Sequence, residues 1–354
     1  MSLDDLGGWP AVFDRLVAGR DLEPELAGAA LEEILRGEAT PARAGAFLIG
    51  LRCKGEAVAE VSAMVDAMLR ASVPLRLPEG AVDVVGTGGS EHRRRHALNV
   101  STMSCFVAAA AGAVVCKHGN RKASSTSGSF DLLELLGIPE DLGPAEVEAC
   151  VREVGIGFCF ARKFHPAMRH VAPVRSELGV PTVFNILGPL SHPGRVRRGV
   201  VGVSDPARMD LVAGVLAARS VDHAWVVWGE GGIDELANTG TTFVTEVTHE
   251  GTRTFEVRPE DVGLPRRSPE EIAGGDPSTN AAIFRRVLDG EKVPARDAIA
   301  MTAGAALVVS GVVSDLAEGV GEALRAIDTG AAAEKLEKLR AVAGAFGARR
   351  EEGG

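Results

Sequence analysis

Apolar residues recur at helical spacing through the first eighty positions of the chain. Pro10 suits the first turn of a short helix that runs through Leu16 and Val17. Leu22, Leu26, Ala30, Leu31 and Ile34 mark a helical face over residues 22–36, which stops at Gly37. Thr40 before Pro41 is a cap and first-turn signal that leads into Phe47, Leu48 and Leu51. A further helix presents Val58, Val61, Met64, Val65 and Met68. Short amphipathic helices cannot bury their apolar faces alone, so the pattern predicts a small bundle.

The period changes at Ala81, where AVDVV reads as a strand. Residues 113–116, 198–203 and 223–228 are further strand candidates, and 179–184 border another short apolar segment. Helices are expected over 102–112 and 205–218. Strands alternating with helices predict a mostly parallel α/β sheet. Polar alternation over 234–258 predicts a hairpin. The tail returns to helices at 278–289, 296–310, 317–328 and 330–346, with a frayed REEGG end.

With 354 residues, 45% of them hydrophobic, the chain can build one large core or a large and a small domain. The net charge of −10 argues against a broad nucleic-acid surface and leaves room for a small anionic substrate held by a few local donors. Cys53, Cys105, Cys116, Cys150 and Cys159 show no metal-ligand or thioredoxin-like spacing, which fits a reducing compartment. MSLDDLGGWPAVFDRL lacks the basic and apolar runs of a signal peptide, and the longest apolar runs are broken by glycine. A cytoplasmic protein without a membrane partner is expected.

The richest chemistry lies in DVVGTGGSEHRRRHALNVST, residues 83–102. Gly86, Gly88 and Gly89 follow a strand and can bring backbone N–H groups close to a phosphate, although such a loop alone can equally be a structural turn. Ser101 and Thr102 open the next helix, a natural anion site. The Walker pattern is absent and the dinucleotide fingerprint is poor. CKHGNRKASSTSGSFD, residues 116–131, forms a second loop. There Lys117 offers a point charge, Asn120 a donor and an acceptor, and Arg121 either a phosphate contact or a brace. Ser124, Ser125, Ser127 and Ser129 add hydroxyls around Gly128. Arg175 is either a surface arginine paired with an acid such as Glu177 or a fork for a planar carboxylate. Asp234 and Glu235 either face solvent or, near phosphates, offer oxygen ligands to a hard divalent cation. His165, Met168 and His170 read as packing or surface residues at least as readily as substrate contacts.

In their order, GTGG, NVST, KHGNR and SGSFD, with GVPTVFNILGPLSHP and IDEL after them, resemble the anthranilate phosphoribosyltransferases of tryptophan biosynthesis over about residues 10–340. The resemblance implies a small all-helical domain packed on a larger α/β domain with a mostly parallel central sheet. Residues 1–77 would start the helical domain, 78–162 the α/β domain with its phosphate loops, 163–190 would return to the helices, and 191–350 would complete the α/β domain. It also implies phosphoribosyl transfer from phosphoribosyl pyrophosphate to anthranilate, with Mg²⁺, two ions, and a homodimer paired through the N-terminal helices. Gly86, Thr87, Gly88, Gly89, Asn99, Ser101, Thr102, Lys117 and Ser129 would bind the donor. His118, Asn120, Arg175, Gly188 and Pro189 would bind the acceptor, and Ser101, Asp234 and Glu235 the metal. Lys117 and Arg175 are the leading catalytic candidates.

The sequence departs from the family pattern where Ser90 replaces the acid that follows GTGG, where the loop is about three residues longer and carries Arg93, Arg94 and Arg95, and where Thr302 replaces an asparagine. Glu91 could take the place of the missing acid if the longer backbone turns it inward. A different aromatic amine, or a donor-binding paralogue with impaired catalysis, are the alternatives that these departures leave open.

Overall fold

The computed structural model describes residues 1–88, 98–121 and 126–352, with side chains described through Phe346. The expected N-terminal helices form as α1 (Gly8–Val17), α2 (Pro24–Arg36), α3 (Pro41–Lys54) and α4 (Val58–Arg70). Thr40 Oγ1 caps α3 by accepting the Arg43 N–H at 3.3 Å. Leu31, Ile34, Phe47, Leu48, Leu51, Met64 and Val65 are buried together between the helices. Glu60, fully buried, accepts the backbone N–H groups of Leu22 and Ala57 at 2.7 Å each and pairs with Lys54 at 2.9 Å. Its lone pairs are thus satisfied where an unpaired charge would be costly.

The sheet comprises β1 (Val82–Gly86), β2 (Val115–Gly119), β3 (Ile156–Phe160), β4 (Arg198–Gly202), β5 (His223–Gly229), β6 (Thr242–Thr248) and β7 (Gly251–Val257), in the order β3-β2-β1-β4-β5-β6-β7. β1 to β5 are parallel, and the predicted hairpin is the antiparallel pair β6–β7 at one edge. Glu246 ties β6 to β5 by accepting the His223 and Trp225 ring N–H groups at 2.7 and 2.9 Å. Two expectations need correction. Strand β3 was missed, because IGFCF follows a helix ending at Val154 after a single residue and leads straight into another starting at Ala161, with no turn signal to set it apart. The last helix runs from Ala331 to Glu352, past the predicted end at 346 and into REEGG.

Both faces of the sheet are covered. The remaining helices are α5 (Val100–Ala110), α6 (Ser129–Leu135), α7 (Pro144–Val154), α8 (Ala161–Phe164), α9 (Ala172–Leu178), α10 (Phe184–Leu190), α11 (Met209–Ala218), α12 (Pro277–Leu288), α13 (Pro294–Ser310), α14 (Leu316–Asp328) and α15 (Ala331–Glu352). Helices α5, α13 and α14 pack on one face. On the other, α11 lies between the sheet and the N-terminal helices, and Val171, Val174, Phe184 and Leu187 join that same apolar cluster. Among the described residues no helix is long and apolar enough to cross a membrane. The chain runs from β1 outward through β2 and β3, then returns to β4 on the other side of β1. In an open α/β sheet that reversal opens a crevice at the carboxyl ends of the strands.

Candidate active site

The strands at this crevice end on glycine: Gly86 in β1, Gly119 in β2, Gly202 in β4 and Gly229 in β5. Gly86 and Gly202 are register partners. The chain at Asp234 crosses directly over them, so that a Cβ on Gly202 would fall 1.7 Å from the Asp234 carbonyl oxygen and one on Gly86 2.4 Å from Asp234 Oδ2. Space, rather than a left-handed backbone, requires glycine at these two strand ends. The close approach lets Asp234 Oδ2 accept the Gly88 N–H at 2.9 Å and Glu235 Oε1 accept the Ser101 N–H at 3.1 Å. Both acids are buried, at 5% and 7% exposure, which rules out solvent-facing carboxylates. Thr87 donates its N–H to the Gly202 carbonyl at 2.9 Å and accepts the Ser204 N–H on its hydroxyl at 3.2 Å. The first loop is therefore anchored on the rim of β4, next to two carboxylates.

The second loop folds back on the first. A Cβ on Gly119 would stand 2.9 Å from Ser129 Cβ, so the start of α6 lies against the end of β2. Ser127 Oγ donates to Asn99 Oδ1 at 2.8 Å, and Asn99 Nδ2 donates to the Ser127 carbonyl at 3.1 Å. Asn280, on α12, donates to the same Asn99 oxygen at 2.8 Å. Asn99 thus fastens the two loops to α12. Asn280 escaped the sequence reading because a polar residue in a first helical turn carries no distinguishing pattern. Thr102 is fully buried, with a hydroxyl that faces no partner. Lys117 is 2% exposed and its ammonium donates to the Val84 carbonyl, so it lies between β1 and β2, beneath the loops. Arg121 takes the bracing role: it pairs with Glu140 at 2.7 Å, Glu134 at 2.9 Å and Asp131 at 3.1 Å. Asn120 accepts the Arg121 N–H on its side chain at 2.9 Å.

Arg175 stands on α9, which packs on α3. Its guanidinium lies 5.4 Å from the Phe184 ring centre and 3.5 Å from Asn185 Oδ1. Burial lowers its pKa, and among the described residues no carboxylate pairs with it, Glu177 included. An added Cβ at Gly188 would meet nothing, so the ILGPL turn borders open space there, with Pro189 beside it. The His118 and His165 rings are 5.1 Å apart, and His192 lies 5.9 Å from His118. Burial holds His118 well below the usual histidine value, and its ring bonds the Gly188 backbone. Burial brings His165 down to about 4, and its ring bonds the Ser191 backbone. Both are neutral imidazoles at pH 7, each with an unpartnered Nε2. His170 packs under Gly37 and Met168 against the N-terminal cluster, which fits packing roles.

Two groups of side chains could hold a cation. Asp234 and Glu235 present hard carboxylate oxygens beside the Ser101 and Gly88 amides, a donor set that fits Mg²⁺. Cys116, Cys159 and His192 form a buried cluster with the two sulfurs 3.4 Å apart. There the Gly194 N–H donates to His192 Nδ1 at 3.0 Å, so the proton sits on Nε2, which donates to the Cys116 carbonyl at 2.9 Å. An N–H, and no lone pair, faces the sulfurs, so this cluster is satisfied core. Gly89, Ser90, Glu91, Arg93, Arg94, Arg95, Ser124 and Ser125 lie outside the described residues.

Residues 10–72 match the profile of the glycosyl transferase family, helical bundle domain, and residues 78–333 that of the glycosyl transferase family, a/b domain. The chain is 48% identical over 328 residues to anthranilate phosphoribosyltransferase of Parvibaculum lavamentivorans, covering 93% of this chain and 95% of that protein. It is 45% identical over 341 residues to the enzyme of that name from Thermomicrobium roseum, covering 95% and 97%. Among solved structures it is similar to anthranilate phosphoribosyltransferase from Thermus thermophilus, with a TM-score of 0.88, 43% identity and coverage of 94% and 99%. It is also similar to the Saccharomyces cerevisiae enzyme in complex with phosphoribosyl pyrophosphate and Mg, with a TM-score of 0.87, 28% identity and coverage of 95% and 98%.

Proposed function

The chain belongs to the anthranilate phosphoribosyltransferase family, and from that membership we propose how its residues divide the reaction. The enzyme transfers the phosphoribosyl group of phosphoribosyl pyrophosphate to anthranilate in tryptophan biosynthesis, with Mg²⁺. The amine nitrogen bonds to C1 of the ribose as the C1–O bond to pyrophosphate breaks, and the electron pair leaves with pyrophosphate. The amine then loses its proton, giving N-(5-phosphoribosyl)anthranilate.

Positive charge on the ribose and negative charge on the leaving group develop together, so catalysis rests on fixed donors and position. Gly86, Thr87, Gly88 and Gly89 supply the first loop to the diphosphate, Ser101 and Thr102 the helix start, and Ser129 the facing loop. Asn99 acts by holding the two loops together through Ser127 and Asn280. Lys117 contributes its charge from beneath the loops, where low polarity extends the reach of the ammonium. Asp234, Glu235 and Ser101 would hold the metal, two ions in this reading. Mg²⁺ bound there supplies charge neutralisation to the departing pyrophosphate. Arg175 pairs with the anthranilate carboxylate, for which the lack of a carboxylate partner among the described residues prepares it. Gly188, Pro189, His118 and Asn120 wall the flat ring. The division into residues 1–77, 78–162, 163–190 and 191–350, a homodimer through the N-terminal helices and a cytoplasmic location complete the proposal.

The observation that carries this reading is the meeting of the Gly88 and Ser101 amides with two buried carboxylates at the ends of β1 and β4. Purified protein incubated with phosphoribosyl pyrophosphate, Mg²⁺ and a panel of aromatic amines should form phosphoribosyl-anthranilate. Turnover of another amine with none of anthranilate would overturn the acceptor assignment, and donor binding without any turnover would overturn catalysis.

A further inference from the structure

β1 is paired with its two neighbours very differently. Against β4 it keeps five consecutive register pairs, from Val82–Arg198 to Gly86–Gly202. Against β2 it keeps the single pair Val82–Val115, although β2 continues to Gly119. Beyond that pair, side chains stand where ladder bonds would run, with the His192 ring N–H on the Cys116 carbonyl and two others from the strands themselves. Asp83 Oδ1 accepts the His118 N–H at 3.2 Å, and the Lys117 ammonium donates to the Val84 carbonyl. Each satisfies a backbone group that a closed ladder would have satisfied directly. Each also puts a side chain between the strands, so the β1–β2 ladder stays open just below the two loops.

Asp83 is an odd residue to find in a buried parallel strand. It is 5% exposed, and its second oxygen, Oδ2, has no hydrogen-bond partner. It lines a small, partly open cavity of about 50 Å³ that also touches Pro189, Leu190 and His192. Burial raises its pKa, against the nearby charge of Lys117. Hydrophobic residues occupy the neighbouring strand positions Val82 and Val84, and one more there would stabilise the sheet better than a half-satisfied carboxyl does.

We propose that Asp83 is a positioning residue for phosphoribosyl transfer: it acts as a spacer that holds β2 away from β1 and, through the His118 N–H, sets the acceptor wall at the correct distance from the donor loop. The proposal rests on the transferase reading above. Wild-type turnover tests that reading, and only the comparison of variants with wild type tests this one. Asp83→Ala removes the spacer and lets β2 close toward β1. Its kcat/KM for anthranilate should fall about tenfold or more, mainly through KM. Its Tm should stay level or rise, since a buried oxygen without a partner is gone. Asp83→Asn keeps the Oδ1 acceptor and should hold kcat/KM within about threefold of wild type. The proposal is overturned if Asp83→Ala keeps kcat/KM within that same range, if Asp83→Asn loses as much activity as Asp83→Ala, or if activity and Tm fall together.

Discussion

The two sides of the crevice use opposite means. On the proposed donor side the polar groups are backbone N–H donors and carboxylate oxygens, brought together because glycine strand ends admit another stretch of chain at contact distance. On the proposed acceptor side they are side chains stripped of water: a guanidinium with no carboxylate partner among the described residues and two imidazoles that burial keeps neutral. A diphosphate carries charge that fixed dipoles can meet directly. A flat aromatic acid gains more from a dry wall and one cation, because desolvation strengthens that single pairing. The difference teaches that the donor side should be sensitive to backbone space, and the acceptor side to burial and to pH.

The largest effect expected is on stability in acid and concerns the acceptor side. His165 has a folded pKa of about 4 against 6.5 for the free side chain, and His118 is shifted in the same direction. Between pH 6.5 and 4 the unfolded chain therefore binds protons that the folded chain refuses. Stability is full above pH 6.5 and falls as pH drops through that window, by about 3 kcal/mol for His165 alone. Denaturant titrations at pH 7 and pH 4.5 should record this loss, and His165→Asn should flatten it. An unchanged slope in that variant would mean that His165 is not held neutral by burial.

On the donor side, Gly202→Ala should come next. Its Cβ would overlap the Asp234 carbonyl, so the chain carrying both carboxylates must move. A displacement near 1 Å should lower kcat by about 10²-fold and raise the Mg²⁺ requirement, while acceptor KM changes little. Wild-type Mg²⁺ dependence in this variant would break the contrast between the two sides.

Sequence periodicity was enough for the N-terminal helices, because each buries one face and exposes the other, and short apolar runs beside glycine or charge marked β1, β2, β4 and β5. Strand β3 was not legible, for IGFCF follows α7 after a single residue and leads straight into α8, with no turn signal to set it apart. Glycines at strand ends marked the loops that meet at the crevice, yet not the reason for them. Gly202 owes its identity to Asp234, 32 positions away in the chain, and that contact exists only after folding. Arg121 and Lys117 look alike in sequence as cations on a serine-rich loop. Folding gives one to three acids and places the other within β2, its ammonium between β1 and β2. Neither outcome follows from local pattern, since the partners lie in other elements.

Arg175→Ala sharpens the acceptor side of the contrast. Loss of a charge-assisted bond to a carboxylate, about 2 kcal/mol, should raise anthranilate KM by about thirtyfold and leave donor KM in place. Arg175→Lys should recover little, since an ammonium cannot reproduce the planar fork. Equal losses in donor and acceptor KM would remove Arg175 from the acceptor wall.

The smallest effect expected is at Arg121, where the two sides could be confused. If this residue met phosphate directly, its removal would cost donor affinity heavily, and the loss would shrink as salt rises. The structure instead surrounds it with Glu134, Glu140 and Asp131, which occupy its donors, and the hydrogen bonds to Glu140 and Glu134 raise its pKa. A partly exposed network of this kind is worth about 1 kcal/mol. Arg121→Ala should therefore raise donor KM by only about fivefold, through a looser second loop, with a small drop in Tm. Combining it with Glu140→Gln separates the two roles. A brace predicts that the double variant is little worse than Arg121→Ala, because both changes break one network, whereas a direct phosphate contact predicts additive losses.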